Sequence, residues 1–260
     1  MELQLAGKRA LVTGSTGGLG EEIAKVLAAE GAAVIVHGRD RARAESVAKT
    51  IRESGGQAEV AIGDLTTAEG ADAVAAAVDG PIDILVNNMG VYNPAIGWGT
   101  ATPQDWAEIY NINVISSVRM IQRFVPAMRE RGWGRVIQIS SVTGHHPAAD
   151  QPHYAATNAA RDNLAASLSR ELKNTGVTSN SVAAGGILTS AGLTTLTDLG
   201  LRNGWGEDWE QIEPKLVAEL APNDVGRIGR PSEYAGVVAF LAGPSADYVS
   251  GATLHVDGGS

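Results

Sequence analysis

Lys8-Arg-Ala-Leu-Val-Thr13-Gly14-Ser15-Thr16-Gly17-Gly18-Leu19-Gly20 decides the architecture of this chain. Residues 8–14 read as a short apolar strand ending in a turn, and a helical apolar period runs from Leu19 to Glu30. Glycines between the two permit a tight turn and close backbone approach to a ligand. The helix start offers free N–H groups and the positive end of its dipole, which suit a pyrophosphate. Turns use glycine without any ligand too, so composition alone does not decide. A strand before and a helix after shift the reading to nucleotide binding.

Working outward, β-branched or apolar runs at 33–37, 57–63, 82–86, 135–139, 176–182 and 252–256 read as further strands, with helical patterns between them. Seven strand candidates alternating with helices imply an α/β fold, a Rossmann-type, doubly wound parallel sheet. The ligand cleft belongs at the carboxyl ends of the strands. No repeat or linker-like break divides the 260 residues, so 1–260 reads as one domain. Residues 190–224 form the least regular long stretch and read as a lid, with Trp205 and Trp209 as an aromatic wall or as one buried face of a lid helix.

Composition narrows the function. A 44% hydrophobic content supports one large core. With no Cys there is neither a disulfide framework nor a thiolate metal site, and no His/carboxylate spacing suggests a metal, so no metal site is expected. A formal charge of −9 argues against a nucleic-acid surface. No apolar run of membrane-spanning length and no leader-like N-terminus are present, so a soluble cytoplasmic protein with no membrane partner is expected.

The chemistry concentrates in Ser140-Ser141-Val-Thr-Gly-His145-His146-Pro-Ala-Ala-Asp-Gln-Pro-His153-Tyr154-Ala-Ala-Thr-Asn158. Ser141 ends a strand. Tyr154 lies in the first turn of the following helix, and Asn158, four residues on, leaves the same helix face. A hydroxyl, a phenol and a third polar group converging there suit proton transfer to a substrate oxygen.

At these residues the chain resembles the short-chain dehydrogenase/reductase family of the classical type, whose signature is Ser, Tyr thirteen residues later and Lys four after that. Ser141 and Tyr154 fit, and Asn158 stands in the Lys position. The Gly-x-x-x-Gly-x-Gly spacing of the first turn and Asn87-Asn88-Met89-Gly90 after the fourth strand also resemble the family, with Met89 in place of a small residue. The resemblance covers essentially the whole chain. It implies an oxidoreductase that moves a hydride between a nicotinamide and a ketone or secondary alcohol. Tyr154 would be the acid/base, Ser141 would hold the substrate oxygen, and Asn113 would hold a relay water. Asn158 would bind the ribose without the charge of Lys.

Cofactor contacts implied by the resemblance are Gly14, Ser15, Thr16, Gly18, Leu19, Gly20, Arg39, Asp64, Leu65, Asn88, Gly90, Tyr154, Asn158, Gly185, Ile187 and Thr189. Gly38 occupies the slot where an acidic residue selects NAD(H), and Arg39 follows it, so NADP(H) is expected in preference to NAD(H). Arg39 as a solvated helix-start charge, Asp64 as a turn or cap residue, and Thr189 as a plain loop residue are the competing readings. Asn111 competes with Asn113, and the spacing from Trp106 selects Asn113. Ala184-Gly185 stands where the family has Pro-Gly.

A free tyrosine ionises near pH 10, and a neighbouring cation favours the phenolate. Lacking that Lys, the chain is expected to be a weak enzyme or one biased to carbonyl reduction with neutral Tyr154 as donor. A redox-inactive nucleotide-binding protein acting through assembly or regulation is the alternative, and a residue introduced to disable an ordinary enzyme is a third. Arg161, two turns after Tyr154, either reaches back to supply charge or, as the preferred reading, makes a surface or subunit-interface ion pair. Met89, Tyr92 and the lid tryptophans would line a mostly apolar substrate pocket. The family also implies a homotetramer or homodimer built on the helices near 103–131 and 154–173.

Overall fold

The glycine-rich junction forms as its sequence predicts. Strand β1 (Arg9–Val12) runs into a turn and then helix α1 (Gly18–Ala29). The computed structural model describes residues 3–260. After α1 come β2 (Ala33–Gly38), α2 (Arg41–Glu53), β3 (Gln57–Ile62), α3 (Ala68–Ala77) and β4 (Ile84–Asn87). The second half holds α4 (Pro103–Tyr110), α5 (Ser116–Arg131), β5 (Gly134–Ser141), α6 (Pro152–Glu171), β6 (Val177–Ala184), α7 (Ser190–Arg202), α8 (Trp209–Leu220), α9 (Pro231–Ala242) and β7 (Thr253–Val256).

One parallel sheet of seven strands takes the order β3-β2-β1-β4-β5-β6-β7. Leu11 of β1 pairs with Ile35 on one side and Leu85 on the other. The strand order therefore reverses between β1 and β4, which opens a crevice beyond their carboxyl ends. Strand alternation sends Ala10 and Val12 to one face, into a core with Ile23 and Leu27 of α1 and Val238 of α9. Leu11, Leu85 and Val136 face the other way, against Met120 and Phe124 of α5. With both faces covered, the central strands β4 and β5 are buried along their whole length.

Two local features position the site. Thr102 caps α4 in a capping box: its hydroxyl accepts from Asp105 N at 3.2 Å, and the Asp105 carboxylate accepts from Thr102 N at 2.8 Å. Between α4 and α5 the chain widens into a single π-helical turn, Asn111–Ile115. Such single turns inside α-helices are rare and frequently mark functional sites. Here the buried residues of the turn are Asn113 and Val114.

The 190–224 stretch is more regular than expected, because α7 and α8 pack on each other around their own small core of Trp205, Ile212, Leu216 and Val217. Among the described residues no helix is long and apolar enough to cross a membrane.

Candidate active site

At the carboxyl end of β1 the first turn is a cradle built around missing side chains. Gly14 and Gly18 sit at φ +65° and +58°, the left-handed region that favours glycine. A Cβ on Gly20 would overlap the Gly14 carbonyl and the Asn88 amide. Helix α1 has no side-chain N-cap, and its cap residue is Gly17, around which a Cβ would meet open space. The N–H groups of its first turn are thus left for a ligand anion. These features fit the pyrophosphate of a dinucleotide.

Neighbouring segments lock the cradle. Asn88 donates its amide to the carbonyls of Thr13 (2.9 Å) and Gly14 (3.1 Å), while the Thr13 hydroxyl accepts from the backbone N–H of Asn88 and Met89, each at 3.0 Å. Gly14 N–H donates to Nδ1 of His37 at 3.0 Å, so Nε2 carries the ring proton and donates to Gly63 O at 3.1 Å. Burial pulls the His37 pKa down to about 4, against weaker opposing pulls from the Gly63 bond and Asp64. Ser15 faces inward: its hydroxyl donates to Val12 O at 2.7 Å and accepts from His37 N at 2.9 Å. Its side chain therefore braces the turn. Thr13 and His37 escaped the sequence reading. The signals were a hydroxyl directly before Gly14 and a histidine ending a strand.

Beyond β2, Arg39 projects into solvent with Nη1 4.0 Å from Asp64 Oδ2. Asp64 Oδ1 accepts from Thr66 N at 3.0 Å and Thr66 Oγ1 at 2.8 Å, and these bonds hold its carboxyl below the usual range. Asp64 thus does what a turn residue does and also offers Arg39 a weak exposed counterion. The Leu65 side chain is buried, and its carbonyl accepts from Arg119 at 3.1 Å.

Ser141 ends β5, and its Oγ accepts from Thr143 N at 3.3 Å. Tyr154 lies in the first turn of α6, its ring 5.1 Å from that of Tyr92. Asn113 is fixed by three bonds: Oδ1 accepts from Val91 N (2.8 Å), and Nδ2 donates to Val91 O (3.0 Å) and Thr157 Oγ1 (3.1 Å). Asn158 is 3% exposed and turns inward, donating to the Tyr154 carbonyl (3.0 Å) and Thr143 Oγ1 (3.3 Å). Both amide hydrogens are engaged within the protein, which leaves Oδ1 as its only free polar atom for a ribose hydroxyl.

The reading of Arg161 as a surface or interface ion pair is overturned. Arg161 is 4% exposed. Its guanidinium donates to Asn113 O through Nε at 2.6 Å and to the carbonyls of Ile139 and Met89 through its two terminal nitrogens. A Cβ on Gly90 would stand 3.5 Å from Asn113 Oδ1 and 3.6 Å from the guanidinium, so Gly90 borders the same group. Asn113, expected to hold a relay water, has its carbonyl engaged by Arg161. Burial lowers the Arg161 pKa to about 10, so it stays charged at neutrality, with Tyr154 and then Asp162 favouring the charged form. Asp162 Oδ1 accepts from Ser140 Oγ (2.6 Å) and Ser181 Oγ (2.5 Å), and its Oδ2 lies 3.0 Å from Nε2 of His145.

On the far side, a Cβ on Gly185 would press on Asp257, and Ile187 bridges to Gly229. Thr189 caps α7, its hydroxyl accepting from Gly192 N at 3.0 Å, so that hydroxyl is already engaged. Its methyl would lie 3.7 Å from a Cβ on Gly18, which brings this loop over the cradle. Trp205 is buried in the α7–α8 core and does not face the cleft as a wall; Tyr92 does flank Tyr154. A row of Trp98, Trp106 and His153, with ring centroids 5.9 and 6.0 Å apart, ends at the residue before Tyr154 and was not anticipated.

The family model described as short chain dehydrogenase matches residues 8–198. The chain is 38% identical to the uncharacterized oxidoreductase YvaG of Bacillus subtilis, over 100% of this chain and 98% of that one. It is 34% identical to the 3-oxoacyl-[acyl-carrier-protein] reductase FabG of Vibrio cholerae, over 99% and 98%. Among solved structures, L-sorbose reductase from Gluconobacter frateurii, complexed with NADPH and L-sorbose, superposes with a TM-score of 0.92 at 32% identity, covering 100% of this chain and 98% of that one. A 3-oxoacyl-(acyl-carrier-protein) reductase from Agrobacterium tumefaciens with NADP bound gives 0.87 at 35% identity, over 98% and 95%.

Proposed function

This chain belongs to the short-chain dehydrogenase family of oxidoreductases, and from that premise we propose that it is an NADP(H)-preferring carbonyl reductase in which Tyr154 is the proton donor. One observation carries the reading: Ser141 and Tyr154 stand at the end of β5 and the start of α6, on the cleft side of the sheet where the uncapped α1 opens. Similarity to reductases with NADPH or NADP bound supports the cofactor, as does Arg39 beside a slot that lacks an acidic residue.

With its pyrophosphate held by the glycine cradle, a reduced nicotinamide cofactor would supply a hydride for the substrate carbonyl carbon. Ser141 Oγ holds the carbonyl oxygen, which takes the proton of Tyr154 Oη, giving the alcohol and a phenolate. Asn113 fixes the Val91 segment through two bonds and ties it to Thr157 of α6 through a third, and so sets the wall that carries Tyr92. Asn158 supplies no charge; it ties Tyr154 to the Thr143 turn and offers Oδ1 to the ribose. The α7–α8 segment covers the substrate.

Consumption of NADPH against a series of ketones and sugars, beside an NADPH titration, tests this: binding with turnover supports it, and absence of binding ends the cofactor assignment. The redox-silent alternative draws on one observation, the inward engagement of both Asn158 amide hydrogens. It predicts tight NADPH binding with no turnover for any substrate.

A further inference from the structure

We propose that Arg161 is the cation of this active site, its buried guanidinium stabilising the phenolate that Tyr154 becomes when it protonates the substrate oxygen. The inference rests on the reductase reading above and assigns the charge that this reading lacks. Arg161 touches neither substrate nor cofactor and acts through Tyr154, as a positioning residue.

Helix geometry brings the two together. Tyr154, Asn158 and Arg161 stand at i, i+4 and i+7 of α6, one stripe on one face. Long side chains on a helix lean toward its N-terminus, which carries the guanidinium back along the stripe toward Tyr154. Asn158, between them, is short, uncharged and folded onto the Tyr154 carbonyl.

The surroundings leave the positive charge uncompensated. The guanidinium meets three carbonyls, those of Met89 beyond β4, Asn113 in the π-helical turn and Ile139 in β5. Among the described residues no carboxylate oxygen lies within 4.0 Å of it. Asp162, next in sequence, is held by Ser140 and Ser181 through Oδ1, with His145 beside its Oδ2. Stapling three carbonyls needs only donors, and burying a full charge for that purpose is costly. The missing anion is one that forms during reaction. The other titratable groups near Tyr154 are Tyr92, on which Asp150 acts, His153 before it in the chain, and His145 on Asp162. None of these carries the permanent positive charge of a guanidinium.

The test compares the parent with Arg161→Met, Arg161→Lys, Asn158→Lys and the double variant Asn158→Lys/Arg161→Met. NADPH affinity, by fluorescence titration, reports the intact cradle. Phenolate absorbance against pH, taken as the difference from the same protein carrying Tyr154→Phe, reports the charge around Tyr154 without any substrate. The proposal expects Arg161→Met to keep NADPH affinity within about threefold, to lose at least about tenfold in kcat with KM little changed, and to move the phenolate transition to higher pH. Arg161→Lys falls between, and Asn158→Lys/Arg161→Met recovers most of the loss because it restores a cation on the same stripe. A phenolate transition unmoved in Arg161→Met, or a double variant no better than Arg161→Met, overturns the proposal. If Arg161→Met does not fold, Arg161→Gln, which keeps amide donors for the carbonyls without the charge, decides by the same readouts. If the parent reduces no substrate offered, the phenolate titration alone still decides, so this inference and the reductase reading fail separately.

Discussion

Gly14 N–H donates to Nδ1 of His37 at 3.0 Å, which ties the first glycine of the glycine-rich cradle to a histidine 23 residues away. The bond requires a lone pair on Nδ1, because the opposite nitrogen is occupied in donating to Gly63 O. A protonated ring would turn a donor toward the Gly14 N–H. The cradle is thus held by a neutral imidazole.

Acid should loosen that hold. His37 has a pKa of about 4 when folded against 6.5 unfolded, so below pH 6.5 the unfolded chain binds the extra proton first. Stability from this group is complete above pH 6.5 and is lost as pH falls through 4, a difference of about 2–3 kcal/mol between pH 6.5 and 4.5. Asp64, Glu213 and Glu233 are also shifted down, and their contributions disappear at lower pH. Urea unfolding at pH 7.5, 6.5, 5.5 and 4.5 should show the decline in the parent and a flatter profile in His37→Gln. Equal slopes would contradict the assignment.

Arg39→Ala should weaken NADPH binding about 10- to 100-fold, the range for losing a charge-assisted bond to phosphate, and leave NADH binding within about twofold. Arg39 is exposed and its one counterion, Asp64 at 4.0 Å, is weakly held, so stability should change little. Fluorescence titration with both cofactors checks this; equal losses for the two would remove Arg39 from the 2′-phosphate.

Gly20→Ala tests the close packing of α1 on the turn. The added methyl would overlap the Gly14 carbonyl and the Asn88 amide, so the turn or the Asn88 bridge must shift. A loss of about 1–3 kcal/mol in stability, with weaker NADPH binding, is the expected outcome of denaturation and titration. An unaffected Kd would show that the cradle tolerates the shift.

What the sequence made legible was local. The strand–glycine–helix junction and the placement of Ser141 and Tyr154 each depend on a few neighbouring residues, and each forms as expected. Arg161 was misread because its burial depends on the π-helical turn at Asn113 and on the carbonyls of Met89 and Ile139, which come from three separate segments. Ser15 and Thr189 share that cause: loop position was visible, whereas the inward turn of one hydroxyl and the capping role of the other depend on partners set by the fold. The tryptophans of 190–224 had two readings, and Trp205 took the one that buries apolar area in the segment's own core.

The most direct test of the reductase account is a comparison of the parent with Tyr154→Phe for NADPH binding and for NADPH-dependent reduction of a substrate the parent accepts. The account predicts unchanged NADPH affinity, because the cradle and Arg39 are untouched, and a fall in kcat of about 10²- to 10⁴-fold from loss of the proton donor. A Tyr154→Phe protein that reduces the same substrate at the parent rate would contradict it.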